Sequence, residues 1–451
     1  MMSARTPVRH PVAWVPTAYL AEGIPFAMVI WVAGTMFKDL GHSDTEITLG
    51  TASVGIAWSL KPFWAAFLDM YRTKKFWVLL MELAMAAILA VVALSLRLPN
   101  YFHLIILALW VLAFASATQD ICVDGVYITT LDKKQQAAWI GVQGMCWNVG
   151  RIFATAAVVW LAGAMKDAGH DAKTAWMYAL ALSSATMATL GVYHYFMLPT
   201  GSIAHRPKDR SEVIATFAEA VKAFFQKKAI WGMLVFVFLY RAGEGFLLVE
   251  APLFMQAPLE KGGLGMTLGQ KALVDGTVST VVSIIAGLLG GAFVSRFGLK
   301  RTLVFLAMCL NVPHLCYVFL SQAVSPDQRL SFLTIQVLVS IEKFGYSFGF
   351  VGCMLYMMQQ LAPGKFKMTH YAFATSLMNL VLVPTQMVSG ALADWLGYRT
   401  FFLFVLGASV PSILAAWLAP FPHPPDMDGD ESDADEGGQQ GKEGAVHVAA
   451  A

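Results

Sequence analysis

Charge is scarce in this chain. Lys, Arg, Asp and Glu make up 13% of its 451 residues, about half the share of a soluble domain. With 57% hydrophobic residues, most of the chain must be solvated by lipid or by itself. The net charge is only +2 and no basic stripe alternates with aromatics, so nothing points to a nucleic-acid partner. The five cysteines (Cys122, Cys146, Cys309, Cys316, Cys353) fall inside apolar runs without metal-ligand spacing. They read as small buried hydrophobes, and neither a metal site nor a disulfide framework is expected. His42, His103, His170, His194, His314 and His370 are scattered, with no His-x-x-x-His pair, which argues against a membrane-embedded acyl or glycosyl transferase. No sizeable soluble segment could serve as the output domain of a sensor. A G-x-x-x-x-G-K-[ST] loop is missing, so no nucleotide cofactor is expected and uphill work would draw on an ion gradient or an external partner.

What the chain does have is long apolar runs. They lie near 12–37, 46–68, 76–97, 101–129, 136–163 and 173–198, then near 229–256, 270–295, 301–322, 328–361, 368–393 and 398–420. Each can cross a bilayer core of about 30 Å, and the first is too long for a signal-peptide core. The expected fold is all-α and integral to the membrane: twelve transmembrane helices in two six-helix bundles, 12–198 and 229–420. Arg72, Lys74, Lys75, Lys133, Lys134, Arg296, Lys300, Arg301, Lys365 and Lys367 fall on one side, which places both termini in the cytoplasm. Residues 1–11 form a short cytoplasmic N-terminus. The linker 199–228 ends in a segment where Ile214, Phe217, Val221, Phe224 and Phe225 recur at helical spacing, an amphipathic helix on the inner surface. Residues 421–451, Pro-rich and then acidic, form a disordered cytoplasmic tail.

One stretch organises the chemistry, Ser116-Ala-Thr-Gln-Asp-Ile-Cys-Val-Asp-Gly-Val-Tyr127. On a helix Ser116, Asp120, Asp124 and Tyr127 share a face, and ionisable groups at membrane depth are costly enough to be functional. The stripe is expected to face a polar pathway, the alternative being a helix end paired with loop cations. Polar groups recur on the first, seventh and tenth spans: Glu22 beside a Gly-Ile-Pro break, Tyr240-Arg241-Ala-Gly-Glu244, and Glu342-Lys343 with Tyr346. These are the first helices of three-span units, and such sites sit at broken helices near the midplane. Gln143, Trp147 and Arg151 share a face of the fifth span; Lys61 and Asp275 complete the set. Lys61, Arg151, Arg241 and Lys343 could meet an anionic solute. Glu22, Asp120, Asp124, Glu244 and Glu342 are candidate proton carriers. Each charge has a structural alternative, such as Arg241 pairing with Glu244 three residues on.

A motif also repeats at span ends. Gly291-Ala-Phe-Val-Ser-Arg-Phe-Gly298-Leu-Lys-Arg follows the eighth span, with Arg296 inside it. Gly390-Ala-Leu-Ala-Asp394-Trp-Leu-Gly-Tyr-Arg follows the eleventh, and Asp69-Met-Tyr-Arg72-Thr-Lys-Lys is a degraded copy after the second. The glycines suit close helix contact and tight turns, and the arginines suit capping or gating contacts. Two related six-span halves joined by a long inner loop resemble the major facilitator transporters.

Ser116-Ala-Thr-Gln119-Asp120-Ile-Cys-Val-Asp124 further resembles the fourth-helix motif of AmpG-type muropeptide permeases. Gly23-Ile-Pro and Lys61-Pro-Phe-Trp-Ala-Ala-Phe-Leu-Asp69 look like that family's first and second helices. The resemblance implies a monomeric, proton-driven importer of N-acetylglucosaminyl-1,6-anhydro-N-acetylmuramyl peptides in the bacterial inner membrane, serving cell-wall recycling and linked through it to β-lactamase induction. An anionic glycopeptide and protons are then the partners, and Gln119, Tyr127, Gln143, Trp147, Arg151, Lys61, Arg241, Tyr240, Lys343 and Tyr346 the residues expected to hold substrate. Where many of those proteins follow the second Asp with an aromatic and a Lys, this chain has Gly125-Val-Tyr127. The Val-Asp-Gly form also resembles acetyl-CoA transporters, and a siderophore-uptake branch is a third relation.

Overall fold

The computed structural model describes residues 10–61, 63–64, 68, 72–131, 133–201, 210–327, 329–364 and 366–423. Asp69, the middle of the linker and the acidic tail lie outside them. Among the described residues the regular structure is helical, and ten segments are long and apolar enough to cross a membrane. The last of these, Thr369–Leu418, has 50 residues, about 75 Å of helix and more than twice a bilayer core. Gly397, at φ 70°, turns the chain back, so this segment supplies the eleventh and twelfth spans. The second span, from Asp44–Ala52 through Ile56–Ser59, completes twelve.

Side-chain caps set where several of the helices begin. Ser43 and Glu46 close a capping box that starts the second span at Asp44. Thr73, Asp171 and Ser331 each accept a backbone N–H three residues on and start the third, sixth and tenth spans. Each cap satisfies a donor that would otherwise be orphaned, which places the tenth span at Phe332 rather than near 328.

The first half packs around Ile24, Met28, Phe37, Leu89, Leu112 and Trp176; the second packs around Met233, Phe236, Leu306 and Tyr356. Small residues set the closest helix approaches. A Cβ on Gly23 would stand 2.2 Å from the Trp147 carbonyl, and one on Gly150 would stand 2.4 Å from that of Leu20. The first and fifth spans therefore lie backbone to backbone, which holds Glu22 beside Trp147.

The halves meet at the end of the bundle that carries the turns at 40–43 and 397, the outer end on the topology expected from the loop cations. Thr45 donates its N–H (3.0 Å) and hydroxyl (2.6 Å) to Asp394. Thr48 donates to the Met387 carbonyl at 3.2 Å, and Gln256 to the Thr35 carbonyl at 3.2 Å. The repeated motif thus divides between the two ends. Gly298, at φ 80°, makes the inner turn between the eighth and ninth spans, while the Gly390 copy runs to the outer end, because three traversals separate the two connections. Asp394 is an interface residue there. Arg296 is exposed and lies over Phe297 (5.5 Å). Arg72, exposed at φ 60°, lies over Phe76 (5.6 Å). Gly291 faces open space; the close contact is made by Gly290 against the Phe348 carbonyl.

The linker helix, Arg210–Phe225, turns Phe217 and Phe224 to protein, while Ile214 and Phe225 of the same predicted face are exposed. Phe217 meets Phe63 of the second span (5.9 Å) and Phe373 of the eleventh (5.5 Å), and Phe224 is fully buried in the second half. The helix therefore touches both halves.

Candidate functional site

A cavity of about 330 Å³ opens between the halves, lined by Glu22, Phe26, Trp58, Lys61, Asp120 and Trp147 from the first half and by Ala372, Thr375, Ser376 and Asn379 from the eleventh span. Four helices of the first half contribute its chemistry. Lys61 forms an ion pair with Asp120. Tyr19 donates its hydroxyl to Asp124 at 2.8 Å, and Glu22 has a buried oxygen without a partner. Carboxylate oxygens of Glu22, Asp120 and Asp124 lie within 4.8 Å of one another. Three such ligands could hold a metal ion, yet here the positive charge among them is the Lys61 ammonium. The aromatic wall is continuous: Phe26 meets Trp58 at 4.8 Å and Trp147 at 5.5 Å.

A second cavity of about 270 Å³ shares Glu22 and Trp147 and adds Tyr19, Gln143, Gly144 and Asn148. The Gln143 oxygen and the Arg151 Nε are buried without partners, and the Arg151 guanidinium lies over Trp31 at 4.4 Å.

The stripe on the fourth span is split by its surroundings. Asp120 lines the first cavity, while Asp124 lines neither and accepts from Tyr19, which lines the second. Ser116 and Tyr127 are buried in the bundle, Tyr127 edge-on to Tyr19 (5.9 Å) and Trp14 (6.5 Å). Gln119 points the other way. Fully buried, it donates to Glu82 at 3.0 Å, and Glu82 also binds His194 at 2.8 Å. A neighbouring position on the helix is turned by about 100°, so Gln119 belongs to a core network, not to the cavity.

The charged residues of the seventh and tenth spans do not line this cavity. Arg241 binds Glu244 on its own helix (Nε to Oε2 2.7 Å) and lies over Phe350 at 4.7 Å. Lys343 pairs with Glu342 at 3.3 Å and lies 5.9 Å from the ring of Tyr346. Tyr240, fully buried, donates to the Gly349 carbonyl at 2.9 Å and ties the seventh span to the tenth.

The Major Facilitator Superfamily profile matches residues 17–383. The chain belongs to the major facilitator superfamily. Among curated proteins, the anhydromuropeptide permease of Escherichia coli K12 is 25% identical over 406 residues, spanning 87% of this chain and 76% of that one. Putative transporter AmpG 4 of Rickettsia conorii is 22% identical over 412 residues, spanning 87% and 92%. Among solved structures, a bacterial homologue of the human lysosomal transporter Spinster, inward-facing and unoccupied, superposes with a TM-score of 0.71 at 15% identity over 92% of this chain and 98% of that one. Nucleoside transporter NupG gives 0.66 at 16% identity over 90% and 98%. These structures share the fold.

For a transporter of this superfamily, the residues that sequence reasoning passed over are informative. Tyr19, Trp58, Thr375, Ser376 and Asn379 carry no signal that separates them from ordinary span residues. Glu82 and Glu250 do carry one, each being a lone acid inside an apolar run.

Proposed function

We propose that this transporter imports N-acetylglucosaminyl-1,6-anhydro-N-acetylmuramyl peptides across the bacterial inner membrane by proton-coupled alternating access, as a monomer with both termini in the cytoplasm. The observation that carries this reading is the grouping of Glu22, Asp120 and Asp124 around Lys61 at a cavity between the halves, in a chain whose curated relatives include an anhydromuropeptide permease. Three carboxylates beside one ammonium leave negative charge without a fixed counter-ion, and buried charge of that kind is normally paired or neutralised. A proton can supply the missing positive charge. Protonating Asp120 frees Lys61 to hold a carboxylate of the peptide stem.

The aromatic wall of Phe26, Trp58 and Trp147 suits the faces of sugar rings, and the eleventh span opposite presents hydroxyl and amide groups for their edges. The first cavity has the volume of about ten waters, enough for one end of such a glycopeptide; Gln143 and Arg151 extend the path. The contacts between the halves run from the outer end to the middle of the spans, where Gly276 meets the Thr155 backbone, which suits a state open to the cytoplasm.

Uptake of labelled anhydro-muropeptide into liposomes holding the purified protein, with and without an inward proton gradient, tests the reading. The gradient should stimulate uptake, and Asp120→Asn should abolish the stimulation. Unaltered uptake in that variant moves the proton to Glu22, Glu244 or Glu342. Transport of acetyl-CoA or a siderophore in its place discards the substrate.

A further inference from the structure

A second group of charges joins the halves at the outer end, and the reading above makes no use of it. Glu250 of the seventh span has no exposed surface, and no donor reaches either of its carboxylate oxygens. The seventh span packs there against the helices that bear Lys38 and Asp44, and the Asp44 carboxylate, at the start of the second span, is the foremost charged neighbour of Glu250. Asp44 is already engaged. Lys38 of the first span pairs with it, and Tyr398, just past the Gly397 turn, donates its hydroxyl at 2.5 Å. Lys38 also reaches the Tyr398 hydroxyl at 3.2 Å. The remaining charged neighbour, Asp394, binds Thr45.

One ammonium therefore faces two buried carboxylates. An ionised carboxylate sealed away without a partner is strongly disfavoured, and Lys38 can neutralise only one of the two. A hydrogen shared between Glu250 and Asp44 removes the excess charge and supplies the donor that Glu250 lacks. Lys38 and Asp44 belong to the first half, Glu250 and Tyr398 to the second. Separating the halves here parts the two acids and lets water reach both.

We propose that Glu250 and Asp44 form a proton-binding site of the outer gate, which takes up one proton as the halves close and returns it to the outer solution as they open. This proton does not cross the membrane. Lys38 and Glu22 are sixteen residues apart on the first span, about 24 Å of helix, so the gate is separate from the cavity acids and independent of the solute carried. Acid outside then favours the closed gate. A one-proton linkage changes the closed-to-open ratio by up to about tenfold per pH unit.

The test uses the full chain in lipid nanodiscs without solute, spin-labelled through unnatural amino acids at exposed Ala168 and Glu260, which sit on outer connections of opposite halves. Distances measured from about pH 8 to about pH 5, where carboxyls and their neighbours titrate, give the closed-to-open ratio. In the wild type the ratio should rise as pH falls. Glu250→Gln should remove up to the full tenfold-per-unit dependence and leave the gate closed. Asp44→Asn, which leaves Lys38 free to neutralise Glu250, should also flatten the dependence and serves if the first variant does not fold. A wild-type ratio independent of pH overturns the proposal, as does a wild-type slope in either variant.

Discussion

The two halves handle their charges in opposite ways. In the first half the carboxylates and the ammonium come from different helices: Glu22 from the first span, Lys61 from the second, Asp120 and Asp124 from the fourth. In the second half the pairing is local. Arg241 binds Glu244, Lys271 binds Asp275 at 3.0 Å, and Lys343 binds Glu342, each within one helix. A pair held within one helix moves as a unit and survives any rigid-body motion of the bundle. A group assembled from several helices and open to a cavity can exchange partners with a proton or a solute. On the proposed reading, the cavity's exchangeable charges belong to the first half, while Arg241, Lys271 and Lys343 of the second half hold local pairs.

Substitutions that break each kind of pair sharpen this contrast. The largest effect on stability is expected for Arg241→Ala, which strands the buried Glu244 and should cost about 4 kcal/mol in thermal or denaturant unfolding. Exchanging the pair, Arg241→Glu with Glu244→Arg, should restore most of that loss, since the partners remain one turn apart. Lys61→Ala should cost less, about 2–3 kcal/mol, because the pair borders a cavity that water can reach, but it should abolish uptake. Exchanging Lys61 and Asp120 should not restore uptake, because the ammonium would leave its place among the other carboxylates. Equal recovery in both exchanges would erase the contrast.

Gly23→Ala tests whether the close approach of the first and fifth spans positions the site. The added methyl meets the Trp147 carbonyl, and the expected cost is about 1–3 kcal/mol together with weaker solute binding. Tyr19→Phe removes the hydrogen bond to Asp124 at a cost of about 1 kcal/mol. It should shift the pH dependence of uptake with little change in unfolding temperature.

Parts of this arrangement were open to sequence reasoning and parts were not. Hydropathy located the spans to within a few residues, since a bilayer demands long apolar helices with satisfied backbones. It missed the capped starts at Asp44 and Phe332, which depend on single polar side chains. The two aspartates one turn apart on the fourth span stood out because charge in an apolar run is costly. Their neighbour Gln119 was grouped with them through a motif, yet the helix turns it into the network of Glu82 and His194. Tyr240 beside Arg241 likewise points into the bundle, where it donates to the Gly349 carbonyl. Glu250 carried the signal of an acid in an apolar run, but nothing near it in the chain hints at its neighbours Lys38 and Asp44, more than two hundred residues away.

By itself, then, the sequence determined that the chain lives in a membrane, that it crosses many times in two comparable sets, and which helix face carries acids. Those properties follow from local physics: apolar length, helical period and the cost of charge in lipid. Only the tertiary structure decided that Lys61 answers Asp120, that Tyr19 holds Asp124, and that the seventh-span Glu250 meets the second-span Asp44 across the interface between the halves. Period fixes which residues share a face; packing between helices fixes what that face meets.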